Sequence, residues 1–237
     1  MNVRDIDALI ERRLLVNYRV DPEVAANLLP APFTPRLIGG YAMAGICLIH
    51  LRQGRLAGMP SVFGIETQGA AHRIAVNWAR GDGPASVGVY IPRRDSDSRL
   101  ITAATRGHWR HTRATFAITE DSDAFDIAMD SSDGGGSVRV VGRPADALEG
   151  SALGTLQDAY GFFRDGGPGF SPTAGGNFAG VELIADSWQL TPAVLDDAQS
   201  SWFNDRVRFP SGSAEIDSAL LMRRTASRWR AVPDVAA

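Results

Sequence analysis

The residues with the most chemical reach in this 237-residue chain are its arginines, four histidines, one cysteine and a glutamate set in an apolar stretch. Glu66 stands in Val62-Phe63-Gly64-Ile65-Glu66-Thr67. Facing an interior, its carboxyl would be pushed up by desolvation and so be equipped for general acid or base work near neutral pH; facing outward, it is a solvated edge residue. Arg13, Arg19 and Arg93 supply the complementary part, since a guanidinium forks onto a carboxylate or enolate oxygen. The competing reading of Arg93 and Arg94 is a turn that pairs with Asp95 or Asp97. His108 and His111 have an i, i+3 spacing that would place two imidazoles on one side of a helix, but no carboxylate accompanies them at a matching distance, and no metal is expected. His50 closes an apolar segment and reads as a core or rim histidine. Cys47, the single cysteine, lies in Ala-Gly-Ile-Cys-Leu-Ile and reads as a small buried hydrophobe, without disulfide or zinc cluster.

All 24 basic residues counted as Lys or Arg are arginine. That excludes a lysine Schiff base, a pyridoxal phosphate lysine, a phosphate-loop lysine and a lysine general base. The glycine-rich run Asp165 to Gly180 lacks the Gly-Lys-Ser/Thr ending of a phosphate loop, which leaves a connection or a lid over a barrel mouth. No Gly-x-Ser-x-Gly elbow occurs. No cofactor is expected. A net charge of -3, with basic residues in isolated pairs, excludes the footprint of a nucleic-acid binder. The weakly polar run Ile38 to Leu51 is too short and glycine-rich to span a bilayer, and the first residues carry no apolar signal segment. A cytoplasmic protein with a small organic ligand and no membrane partner is the expectation, with self-association open.

These residues need strands to position them. Arg13 to Val20 alternates, with Leu14, Val16, Tyr18 and Val20 on one face and Arg13, Leu15, Asn17 and Arg19 on the other. Asp21-Pro22 starts a short helix that ends by Pro30. Strand patterns follow at Leu37 to Leu51, Val62 to Gln68, Arg73 to Arg80, Ala85 to Pro92, Thr112 to Thr119, Phe125 to Met129 and Ser137 to Val141, punctuated by Gly81-Asp82-Gly83-Pro84 and Asp133-Gly134-Gly135-Gly136. Ser151 to Phe163 has helical spacing behind a serine cap, and a short helix is expected around Pro192 to Gln199. Strands close the chain at Val181 to Leu190 and Ala219 to Trp229. The pattern predicts a mainly β, antiparallel barrel or sandwich with flanking helices, as one domain over 1–237. Tyr18, Trp78, Tyr90 and Trp188 are candidates to line a pocket.

Leu14-Leu15-Val16-Asn17-Tyr18-Arg19-Val20-Asp21, Leu28-Leu29-Pro30-Ala31-Pro32-Phe33 and Met43-Ala44-Gly45-Ile46-Cys47-Leu48-Ile49-His50 resemble the opening of the acetoacetate decarboxylase superfamily. Val87 to Pro92 with Asp95 to Leu100, and Ser187-Trp188-Gln189-Leu190, resemble its YqjF-like branch. The resemblance implies a cone-shaped antiparallel β-barrel with an interior, largely apolar ligand site. It also implies departures. Pro92-Arg93-Arg94 stands for the Pro-Lys-Lys segment that supplies the Schiff-base lysine, Gly45 for a glutamate, and Asp186 for a histidine. A guanidinium forms no imine. The resulting expectation is a cofactor-independent enzyme that uses Glu66, Arg93 and Arg13 for acid/base chemistry on an oxo or enol-forming molecule: isomerisation, dehydration, cyclisation or non-imine decarboxylation. Its alternative is a non-catalytic binder of a small apolar molecule on the same barrel.

Overall fold

A computed structural model describes residues 5–79, 85–105 and 109–237. The elements are β1 (Ile6–Val20), α1 (Pro22–Asn27), β2 (Thr34–Pro35), β3 (Leu37–Ile38), β4 (Tyr41–Leu56), β5 (Ile65–Trp78), β6 (Ser86–Ser96), α2 (Arg99–Ala104), β7 (His111–Glu120), β8 (Phe125–Ser131), β9 (Ser137–Pro144), α3 (Leu156–Asp165), β10 (Pro168–Pro172), β11 (Phe178–Ala185), β12 (Thr191–Ser200) and β13 (Ala214–Val235). Five strands form a spine in the order β13-β1-β4-β5-β6. From β6 the pairing returns to β13 by two routes. One runs through β7, β8, β9 and β12, and the other through β10 and β11. The sheet is therefore ring-like and the chain mainly β, as the strand pattern predicts. It is not wholly antiparallel: β6 pairs in parallel with both β7 and β10.

Because side chains alternate along a strand, the spine carries two different cores. Leu14, Val16, Tyr18 and Val20 of β1 join Ala44, Ile46 and Leu48 of β4 and Ile127 and Met129 of β8 in an aromatic-rich core. Leu15 of β1 joins Met43 and Cys47 of β4 on the reverse face, which α3 covers with Phe162 and Phe163 alongside Trp188 and Leu190. The division of β1 is the one its alternation predicts.

Four expectations are corrected. Pro192 to Gln199 is strand, not helix: β12 pairs with β9 along most of its length and with β13 at its start, so tertiary pairing overrides a locally helical pattern. The glycine-rich run after Asp165 contains β10 and the start of β11. A Cβ on Gly180 would sit 2.7 Å from the Phe170 ring and 2.5 Å from Val232, so the glycine makes room for packing. The two segments predicted within 62–80 fuse into β5, preceded by a 3-10 turn at Ser61–Phe63. Finally, α3 begins at Leu156 because Thr155 and Asp158 form a reciprocal capping box. Ser151 instead donates to Asp217 at 2.5 Å. Asp21 does cap α1, with Pro22 at its start. The turn at Gly81 to Pro84 lies outside the described residues. No helix among the described residues is long and apolar enough to cross a membrane.

Candidate functional site

Strand register assembles an arginine cluster on the face that α3 covers. Leu15 pairs with Cys47, and Asn17 with Gly45. Cys47 pairs with Ala71, and Gly45 with Arg73. Ala71 pairs in turn with Arg94. Directly paired residues point to the same side of a sheet, so Leu15, Cys47, Ala71 and Arg94 make one row and Asn17, Gly45 and Arg73 the next. Arg13, two residues before Leu15, shares that side. Cys47 is at the middle, with Arg13 and Arg73 on opposite diagonals.

Each guanidinium is partly anchored by neutral groups. Arg73 is 5% exposed, and its Nη2 donates to Asn17 Oδ1 at 2.5 Å. Its guanidinium lies 4.9 Å from the Phe163 ring centre. Asn17 Nδ2 donates to Ser218 Oγ at 3.2 Å, which fixes the amide that receives Arg73. Gly45 is required beneath this contact: a Cβ there would lie 2.5 Å from the Val16 carbonyl oxygen and 3.3 Å from Arg73 Nη2. Arg94 Nε donates to Ser171 Oγ at 2.9 Å. Arg13 stacks its guanidinium 5.3 Å from the Trp188 ring centre.

What the cluster lacks is an anion. Arg13 Nε and Nη1, Arg73 Nε and Arg94 Nη2 are all buried without a hydrogen-bond partner. Among the described residues, no carboxylate forms a salt bridge with any of the three. Burial pushes Arg73 down to about 10, helped by the charge of Arg13, and pushes Arg94 down to about 10 as well. Both remain cations at neutral pH. Buried charge without a counter-charge is costly, and an incoming carboxylate or enolate would satisfy these donors by forked hydrogen bonds.

Of the residues expected from sequence, Arg13 and Trp188 are in this cluster and the others are not. Glu66 is exposed; its Oε1 lies 2.7 Å from His50 Nε2, and Oε2 lies 3.8 Å from Arg52 Nε. Its neighbour Thr67, at 5% exposure, is on the face of Arg73; alternation puts Glu66 on the opposite face with Ala70, His72 and Ile74, and its place at the start of β5 leaves it exposed. The expected convergence of Glu66 with Arg93 and Arg13 is thereby corrected. Arg93 projects from the other face of β6, donating to Asp95 at 2.9 and 2.8 Å, to Asp133 at 2.7 Å, and to the Ser131 hydroxyl. Burial opposes its charge, but hydrogen bonds to the two aspartates outweigh that and raise its pKa. Arg93 lines a separate concavity of about 270 Å³ with Leu28, Trp202 and Arg208. Arg19 pairs with Glu215 at 2.8 Å near the surface.

Tyr18, Trp78 and Tyr90 belong to the aromatic core. Tyr18 stacks on Phe203 at 3.7 Å, and burial pushes its hydroxyl up to about 12. Trp78 and Tyr90 pack against Phe33. Asp186 lines an open groove of about 470 Å³ with Asp7, Arg55 and Arg228. His111 Nδ1 bonds the Thr105 hydroxyl at 2.9 Å, and His108 lies outside the described residues. Arg73, Arg94 and Asn17 are not among the site residues expected from sequence. The available signals were an arginine inside the apolar run Ala71 to Trp78 and the alternation of Arg93 with Arg94.

A ring-like β fold of this layout is that of the acetoacetate decarboxylase-like proteins. The enduracididine biosynthesis enzyme MppR complexed with pyruvate superposes with a TM-score of 0.62 at 12% identity, covering 99% of this chain and 90% of that one. An acetoacetate decarboxylase-like enzyme from Sphingomonas wittichii RW1 gives 0.62 at 13% identity, with 99% and 93% covered. Acetoacetate decarboxylase from Legionella pneumophila gives 0.58 at 11%, with 97% and 87% covered. At such identities the likeness is one of fold. Within that class the chain belongs to the DUF2071 family of uncharacterized conserved proteins, whose pattern matches residues 8–216. No curated protein matches the sequence.

Proposed function

We propose that this protein takes a small organic carboxylate, of the 2-oxo or enol-forming type, onto the Arg13, Arg73 and Arg94 face and acts on it without cofactor and without an imine. The observation that carries this is the four buried, unpartnered nitrogens of these three guanidiniums, none of which has a carboxylate partner among the described residues. A planar carboxylate engages two N–H groups of one guanidinium, and a second guanidinium is then free to meet an enolate oxygen as charge develops there. Such an arrangement favours enolisation and the reactions that pass through it: isomerisation, dehydration, cyclisation or non-imine decarboxylation. The pyruvate held by the structurally similar MppR is of the same chemical class. The exposure of Glu66 favours a second reading, binding without turnover, because it removes the carboxylate expected to move the proton.

Melting in the presence of pyruvate, acetoacetate and the amide of pyruvate tests the proposal. The two acids should raise the melting temperature by mass action, and the neutral amide should not. Equal stabilisation by the amide, or none by any 2-oxo acid, would overturn it. Turnover of a stabilising acid, followed by proton NMR, separates the enzyme from the binder.

A further inference from the structure

We propose that Cys47 is the nucleophile of the arginine cluster, its thiol adding to the oxo carbon of a 2-oxo acid whose carboxylate the guanidiniums hold. This rests on the carboxylate reading above and names the group that acts within it. Cys47 sits at the centre of the cluster by register, paired with Leu15 on one side and Ala71 on the other. Arg13 and Arg73 occupy its two diagonals, within reach of a long side chain. Arg73 is more than nine-tenths buried and keeps Nε unpartnered. A ligand bridging Arg13 and Arg73, on opposite diagonals of Cys47, therefore lies across the thiol. With Glu66 on the outside, Cys47 is the side chain at the cluster's centre able to attack carbon.

The step needs no other reactant. Sulfur forms a bond to the oxo carbon, the carbonyl π pair moves to oxygen, and the thiol proton ends on that oxygen, giving a thiohemiketal. Nothing is oxidised or reduced. A guanidinium N–H left free by the carboxylate stabilises the oxyanion as it forms. An amine at this place would give an imine and expel water; a thiol gives a reversible adduct that retains the oxygen.

Pyruvate labelled with carbon-13 at its oxo carbon is the probe. Bound to the wild-type protein, its signal should move from the carbonyl region to that of a tetrahedral carbon. Cys47→Ser should abolish this signal yet keep the melting shift caused by pyruvate. If pyruvate stabilises the protein and its carbon stays carbonyl-like, the thiol addition is wrong and the arginine reading stands. If no 2-oxo acid stabilises either protein, the arginine reading fails, and alkylation then decides the thiol's surroundings. Iodoacetate should modify Cys47 faster than neutral iodoacetamide by roughly tenfold, through attraction to the guanidiniums, and Arg73→Gln should erase most of that preference. Faster reaction with iodoacetamide, or protection of Cys47 from both reagents, overturns the proposal.

Discussion

Arg93 and Arg94 are consecutive in sequence and project from opposite faces of β6, the first onto Asp95 and Asp133 and the second onto the hydroxyl of Ser171. The same functional group thus has two environments. Arg93 is paired with both carboxylates, and of these Asp95 is 1% exposed and also accepts from Ser131 at 2.7 Å. Arg94 enters the low-dielectric side with a neutral partner and an unpaired Nη2. One arginine stabilises the fold, and the other is left with binding capacity.

Opposite responses to the same substitution follow. Arg93→Met should destabilise the protein by about 3 kcal/mol, since it strands a buried carboxylate. Arg94→Met removes a buried charge that has no counter-ion, and its stability should stay within about 1 kcal/mol of wild type or rise. Urea unfolding reads both. Stabilisation by pyruvate should survive Arg93→Met, measured below its lowered transition, and vanish in Arg94→Met. A similar loss of stability in both variants would show that Arg94 too has a structural counter-charge.

Gly45 gives a second test through packing. A methyl at this position meets the Val16 carbonyl oxygen, a backbone atom that cannot swing aside, and crowds Arg73 Nη2. Gly45→Ala should cost about 1–3 kcal/mol and weaken carboxylate binding, because the strands must part where Asn17 holds Arg73. Measured by urea unfolding and the pyruvate melting shift, the two losses should appear together. A destabilised variant with an unchanged shift would separate Arg73 from the ligand.

Much of this fold was legible in the chain because strand alternation is a local signal. The faces of Arg13 to Val20, the capped start of α1 and the series of strands follow from period and turn chemistry; closure into a ring does not, because the same pattern fits a sandwich. β12 was not legible: Thr-Pro-Ala-Val-Leu-Asp-Asp-Ala-Gln-Ser has helical spacing, and only its pairing with β9 makes it strand. The site was half legible for the same reason. Arg13 sits on a strand whose faces alternation assigns, whereas Trp188 lies beyond β11, which ends at Ala185 and not at the expected Leu190. Choosing Arg93 over Arg94, or Glu66 over Arg73, needs the register of β5 against β6, which shifts between His72 and Ile74. A shift of one residue exchanges the faces, and nothing local to either strand announces it.

The absence of lysine makes a direct chemical prediction. Borohydride added with pyruvate or acetoacetate should leave the protein's mass unchanged once the N-terminal amine is blocked, because a guanidinium does not condense to a reducible imine. Intact-mass spectrometry reads this. An added mass equal to a reduced imine would require an amine that the 237 residues do not contain.

Buried histidines predict how stability varies with pH. His72 is fully buried with both ring nitrogens unpartnered, and burial, aided by the charges of Arg93 and Arg208, pushes it down to about 3. His111 is likewise pushed down to about 3, mainly by burial and then by Arg94. Both imidazoles therefore stay neutral in the folded protein down to that pH, whereas in the unfolded chain they take up protons near 6.5. Between those values the unfolded state binds more protons, so stability must fall as pH falls, by up to about 1.4 kcal/mol per pH unit for each histidine. Above pH 7 this contribution is flat. Urea unfolding at pH 7, 6 and 5 should show the decline, and His72→Phe should remove about half of the slope between pH 6 and 5. The phenyl ring keeps the contact with Trp202, whose ring lies 5.2 Å from that of His72, so a loss of slope reports protonation rather than packing. A slope unchanged by the substitution would mean that His72 is protonated, or hydrated, in the folded state.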